Sequence, residues 1–260
     1  MSVTASPIAD AFSAHGKRAA LMPYLMGGYP SIEESVDAGL AAADAGADLL
    51  ELGIPFSDPL ADGPVIHAAG TAALAAGVTP FAVLGACERL AVKVPVVLMV
   101  YSNIIFTAGA SGFALRAASA GASGLIVPDL PHDEAGELRE ACDAEGLALV
   151  TLVAPTSTPE RIAEIGADAR GFVYTVSVTG TTGERDAIDP HLASTVERVR
   201  ESTDVPVAVG FGISTGEQAR AVSEIADGVI VGSRVVRAAG EGGAAAVGSV
   251  VEELAAALRD

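Results

Sequence analysis

The chain of 260 residues is half hydrophobic, carries 29 glycines and 14 prolines, and sets 33 acidic against 15 basic side chains, for a formal charge of -18. This composition excludes a disordered polymer, and an isoelectric point near 4.4, with Lys17 and Lys93 the only lysines, leaves no cationic stripe of the kind that nucleic acids or anionic membranes require. Any anionic ligand must be gripped by local dipoles, because the far field of the protein repels it.

In chain order, a short helix near residues 8–15 precedes a first apolar strand at 20–26. Strands then recur at 48–54, 96–101, 124–127, 148–153, 171–176, 205–210 and 228–231, with amphipathic, Ala-rich segments between them at 32–45, 81–91, 112–120, 133–144, 159–164, 190–201 and 216–225. The strand runs are continuously apolar, as parallel strands covered on both faces must be. Eight βα units over about 250 residues predict one (β/α)8 TIM barrel domain spanning residues 1–260, with the N-terminal helix plugging the bottom and a last helix at 249–259. An open doubly wound sheet is the alternative. The Ala/Gly-rich stretch 238–248 reads as a helix junction. Cys87 and Cys142 stand alone in helical segments and read as packing residues. The N-terminal MSVTASPIADAF shows no basic-then-apolar signal pattern, so a cytoplasmic location is expected. Apolar runs stop short of the roughly 18 residues that a membrane span needs, so no membrane association is expected.

Chemistry in such a barrel belongs to the C-terminal ends of the strands and the loops that follow them. The second strand places Glu51 among Leu49, Leu50, Leu52 and Ile54, an expensive position for a carboxylate unless it works there. The loop after it, Phe56-Ser57-Asp58-Pro59-Leu60-Ala61-Asp62-Gly63-Pro64, presents two further acids between rigid prolines. Glycines recur after the sixth, seventh and eighth strands, at Gly180 and Gly183, Gly210 and Gly212, and Gly232 beside Ser233; loops at the last two positions commonly cradle phosphate with backbone N–H groups. Both lysines fall towards the bottom rim, which removes any Schiff-base amine, and the four histidines make no metal-ligand pair at helical spacing. A phosphate-bearing small molecule handled by carboxylates suggests proton-transfer chemistry: isomerisation or carbon–carbon cleavage.

The run from Glu51 to Pro64 resembles the signature of the tryptophan synthase alpha subunit family. Pro23-Tyr24 and Gly27, Met99-Val100-Tyr101-Ser102-Asn103, Pro128-Asp129-Leu130-Pro131 and Phe172-Val173-Tyr174 extend the likeness over essentially the whole chain. The resemblance implies a lyase that cleaves indole-3-glycerol phosphate to indole and glyceraldehyde 3-phosphate. It implies no cofactor in this chain, and a beta subunit partner, in an alpha2beta2 heterotetramer, that carries pyridoxal phosphate. By the same likeness Glu51 is the general acid/base and Asp62 pairs with the indole N–H; Tyr24, Met99, Tyr101 and Tyr174 lie against the substrate. Gly183, Gly212, Gly232 and Ser233 hold its phosphate, Thr182 positions Asp62, and Asp58 is the candidate contact to the partner. An apolar lumen should raise the pKa of Glu51, whereas Asp62, nearer solvent, should stay anionic. Two positions depart from the family pattern: Val178 follows Ser177 where many members carry an arginine, and Gly28-Tyr29-Pro30 lacks the acid that often precedes the proline. The segment 179–189 reads as a lid over the site. Two other classes compete: a sugar-phosphate isomerase or epimerase using the same glycine loops, and a non-catalytic partner subunit.

Overall fold

The computed structural model describes residues 6–14, 16–176, 192–210 and 212–259. Val178, Thr182, Gly183, Arg185 and the segment expected to form a lid lie outside the described residues. Eight strands, β1 (Ala20–Met26), β2 (Leu50–Gly53), β3 (Val96–Met99), β4 (Gly124–Ile126), β5 (Ala148–Val153), β6 (Val173–Val176), β7 (Val207–Gly210) and β8 (Gly228–Val231), close into one barrel. Each pairs in parallel with the next, and β8 closes on β1 through Ala20↔Gly228 to Pro23↔Val231. That last pairing excludes the open sheet.

Helices α1 (Pro7–Ser13), α2 (Ile32–Asp44), α3 (Pro64–Ala75), α4 (Pro80–Ala91), α5 (Ser102–Ala108), α6 (Ala110–Ser119), α7 (Gly136–Glu145), α8 (Pro159–Ala167), α9 (Leu192–Arg200), α10 (Gly216–Ser223) and α11 (Ser233–Arg259) accompany the strands. Side chains of Ser31, Thr79, Thr158 and Thr215 accept the third backbone N–H of the helices they precede, so several helix starts are written into single residues. The expected helix junction is a kink at Gly243 within α11. No single helix among the described residues is long and apolar enough to cross a membrane.

Strand parity decides what faces the lumen. Leu50, Leu52 and Ile54 join the outer layer between strands and helices, together with Val96, Leu98, Val207 and Val209. Side chains alternate along a strand, so Leu49 and Glu51 must point inward. Met22, Leu49, Val97, Val150, Phe172 and Ile230 fill the lumen from below, and α1 closes the floor: Ile8 is fully buried in this inner cluster and the ring of Phe12 lies 5.5 Å from that of Phe172. The helix expected at 8–15 therefore does plug the bottom.

One ion pair ties the lower rim together. Lys17 Nζ lies 2.8 Å from Asp48 Oδ1, the two side chains being 5% and 11% exposed. Asp48 also accepts the Leu21 N–H through its second oxygen at 2.7 Å, which fixes the entry to β2 against β1. Removing one member of so buried a pair strands the other charge. We expect Asp48→Ala to cost about 3 kcal/mol, read as a lower urea midpoint at constant m; a loss below about 0.5 kcal/mol, the range of an ordinary surface change, would show that the pair is merely decorative.

Candidate active site

Above the apolar floor the lumen opens into a cavity lined by Tyr24, Glu51, Met99 and Tyr174 from the strands, Asp62 and Ile66 beside the loop after β2, and Gly212, Gly232 and Ser233 on the opposite side. The chain thus brings together eight of the residues singled out in its sequence. Tyr24 and Glu51 are register partners on β1 and β2, and Glu51 is 2% exposed with Oε1 bonded to no described residue. Burial alone lifts its carboxyl from 4.5 to about 8, so at neutral pH it holds its proton.

The two tyrosines that flank this acid are buried and their phenols are pushed well above the usual range, chiefly by desolvation and secondarily by facing carboxylates. Each hydroxyl fits over a backbone with no side chain. A Cβ on Gly53 would collide with the Tyr24 hydroxyl, and one on Gly210 with that of Tyr174. These strand-end glycines are cradles for the neighbouring phenols, a role distinct from the phosphate contact that the glycine-rich loops suggest.

Asp62 is reached differently. It follows a turn in which its N–H bonds to the Pro59 carbonyl at 3.2 Å, and it stands just before Gly63 and Pro64, which start α3. Its surroundings are drier than the sequence reading supposes: half-buried, its carboxyl is raised by desolvation, with the Tyr101 hydroxyl and His67 pulling it back down. The Tyr101 hydroxyl donates to Asp62 Oδ1 at 2.9 Å and accepts the Ala61 N–H at 3.1 Å, while its ring stacks on Phe56 at 5.1 Å. Tyr101 is absent from the cavity wall. It stands behind the lining residues Ala61 and Asp62, and its hydroxyl holds Asp62.

On the far side, α11 begins at Ser233, so its first backbone N–H groups and its positive dipole end face the cavity beside Gly232. Gly212 has φ of 85°, a conformation that glycine adopts without strain, and it brings main chain rather than side chain to this wall. Arg234 turns away, donating to the Ser214 carbonyl and pairing with Glu253. Asp58 lies outside the cavity on the exposed loop, where it accepts a bond from Ser57.

Sequence reasoning missed Ile66, Pro128, Leu152, Ile213 and Ile230 as lining residues. Leu152 shares the inward parity of Val150, and Ile230 caps the inner cluster on β8, so strand alternation could have found both. Ile66 sits on α3, a helix hidden by its Ala-rich composition, although Pro64 directly after Gly63 is a helix-start signal.

Fold and site together define an eight-stranded α/β-barrel enzyme whose mouth sets one buried and one half-buried acidic side chain opposite the start of α11. The model of the family described as "Tryptophan synthase alpha chain" matches residues 11–259. The tryptophan synthase alpha chain of Synechococcus sp. strain CC9902 is 50% identical over 239 residues, covering 91% of this chain and 88% of the relative; that of Synechococcus elongatus is 47% identical over 256 residues, 96% of each. A structure of Mycobacterium tuberculosis tryptophan synthase superposes with a TM-score of 0.91 at 40% identity, covering 99% of this chain and 98% of that one. The chain belongs to the tryptophan synthase alpha chain family, which cleaves indole-3-glycerol phosphate in tryptophan biosynthesis.

The raised pKa of Glu51 has a thermodynamic signature. Below about pH 4.5 the acid is protonated in both folded and unfolded chains; as pH rises towards 8 the unfolded chain releases the proton and the folded one does not, so stability falls and then levels off. Glu51→Gln lacks this titration. Unfolding measured from about pH 4 to pH 9 should show the variant gaining on the parent by up to about 5 kcal/mol; parallel curves would mean that Glu51 titrates as an ordinary carboxyl.

Proposed function

We propose that Glu51 and Asp62 carry out the cleavage of indole-3-glycerol phosphate in this chain, Glu51 as the acid and then the base, Asp62 as the partner of the ring nitrogen. The observation that carries this reading is the placement of a fully buried, protonated carboxylic acid in the lumen, level with two neutral phenols. The leaving group is an aromatic carbon, and it departs only if C3 of the indole is protonated first. Glu51 donates that proton, and the ring becomes an indolenine whose positive charge spreads to its nitrogen. Asp62, raised by desolvation but with its ionised form favoured by the Tyr101 hydroxyl and His67, accepts the ring N–H as a carboxylate and stabilises that charge. Glu51, now a carboxylate, takes the proton of the side-chain hydroxyl. The carbon–carbon bond breaks, its electron pair restores the neutral indole, and the O–H electrons form the aldehyde carbonyl. The acid ends the cycle protonated, as it began.

The phosphate is assigned to the amides at Gly212, Gly232 and Ser233, an arrangement that asks for no lysine and suits a protein of charge -18. The roles of Gly183 in phosphate binding and of Thr182 in steadying Asp62 rest on the resemblance alone. The mouth also carries exposed apolar side chains. Leu60, 85% exposed, stands beside Asp58 on the loop after β2, and Phe106 is exposed on α5. We assign this face to the beta subunit, in an alpha2beta2 assembly of the cytoplasm, with pyridoxal phosphate bound by the partner and Asp58 as a contact between the two.

Indole release from indole-3-glycerol phosphate tests the roles. Glu51→Gln, assayed with and without beta subunit, should lose about 10²- to 10⁴-fold in kcat with KM little changed; retention of most of the rate would remove Glu51 from the mechanism. For the parent enzyme, kcat/KM should fall above about pH 8 as Glu51 loses the proton it must donate, and fall again on the acid side as Asp62 is neutralised. A flat profile through pH 8 would contradict the assignment of Glu51 as the initial acid.

A further inference from the structure

The arm that holds Asp62 has an outer end. Tyr101, whose hydroxyl donates to Asp62, is also the residue that precedes α5, and as N-cap it offers that helix no side-chain bond of its own. The bond comes from another strand. Asp129, in the turn after β4, accepts the Ser102 N–H at 2.8 Å through Oδ1 and the Ser102 hydroxyl at 2.7 Å through Oδ2. Two bonds to one residue, both to an ionised acceptor, fix the backbone immediately after Tyr101 more firmly than an ordinary cap would. Neighbouring contacts run the same way: Val100 N–H donates to the Ile126 carbonyl at 3.0 Å, and Pro128, next to Asp129, forms part of the cavity wall.

We infer that Asp129 is a positioning residue for the proposed reaction: by clamping Ser102 it sets the angle at which Tyr101 presents its hydroxyl to Asp62. This rests on the catalytic reading of Asp62. Asp129 is exposed at the mouth, Tyr101 is buried and Asp62 is half-buried, so the clamp acts from the surface on the inner arm. A helix cap that served stability alone would not need to act on the one tyrosine that bonds the carboxylate.

The test uses the chain with saturating beta subunit, comparing Asp129→Ala, Asp129→Asn, Ser102→Ala, Tyr101→Phe, the double variant Asp129→Ala with Tyr101→Phe, and Asp62→Asn. A small misplacement of a reacting group is enough to lower kcat about tenfold, and this is the loss expected for Asp129→Ala, with KM for indole-3-glycerol phosphate nearly constant. Among the described residues, the groups facing Asp62 are Tyr101, His67 and Tyr24. Weakening the Tyr101 bond alone among them should move the acid limb of kcat/KM to higher pH, in Asp129→Ala as in Tyr101→Phe. Asp129→Asn, which keeps an acceptor for the Ser102 N–H, should recover part of the rate, and the double variant should be no worse than Tyr101→Phe. The inference is overturned if Asp129→Ala and Ser102→Ala lower only the melting temperature, leaving kcat and the acid limb in place, or if the losses of Asp129→Ala and Tyr101→Phe multiply. Should Asp62→Asn keep the parent rate, the catalytic reading itself fails, a result separable from the other two because it does not involve Asp129.

Discussion

A carboxylic acid is buried in a lumen walled chiefly by aliphatic and aromatic side chains, and the mouth of the molecule is organised around that fact. An ionised carboxylate is costly in such a place, so burial favours the neutral acid, the form that the proposed mechanism uses as its proton donor. Neutrality also shapes its neighbours. Tyr24 and Tyr174 keep their phenolic protons under the same desolvation, so the wall around Glu51 offers donors without adding charge. Close approach of those rings to the strand backbone is possible only because Gly53 and Gly210 leave the space empty.

The two ends of the barrel spend polar groups differently. At the bottom, Lys17 and Asp48 are matched and used up in joining β1 to β2, and α1 covers what lies above them. At the top, the polar atoms that line the cavity are those left for a ligand: an acid without a described partner, a carboxylate held on one side by Tyr101, and the amides at the start of α11. A field that repels anions at a distance is compatible with the proposed phosphate site, since peptide dipoles act at contact range and carry no net charge.

Much of this was legible in the residues. β1, β5 and β8 span the residues that the sequence leads one to expect, and β8 is bounded by Asp227 and Gly232. β2, β3, β4, β6 and β7 are shorter than expected: residues 48, 49, 54, 100, 101, 127, 171, 172, 205 and 206 lie outside the ladder, Asp48 because its carboxylate pairs with Lys17 at the strand's entry. Glu51 stood out because a lone acid in a strand of Leu and Ile conflicts with its surroundings, and conflict of that kind marks function. The place of Tyr101 was not legible. A tyrosine at a strand end looks the same whether its hydroxyl meets substrate or another side chain, and only the fold of the loop after β2 brings Asp62 back over it. Helices α3 and α5 escaped for simpler reasons: the first is too uniformly small in its side chains to show a periodic face, and the second is only seven residues long.

The sealed floor carries a consequence for traffic. With Ile8 and Phe12 stoppering one end of the lumen, the floor is closed to traffic and the cavity opens at the mouth. Two products formed from one molecule must then depart in sequence or part company at the threshold, and whatever protein sits over that threshold decides which of them reaches bulk water first.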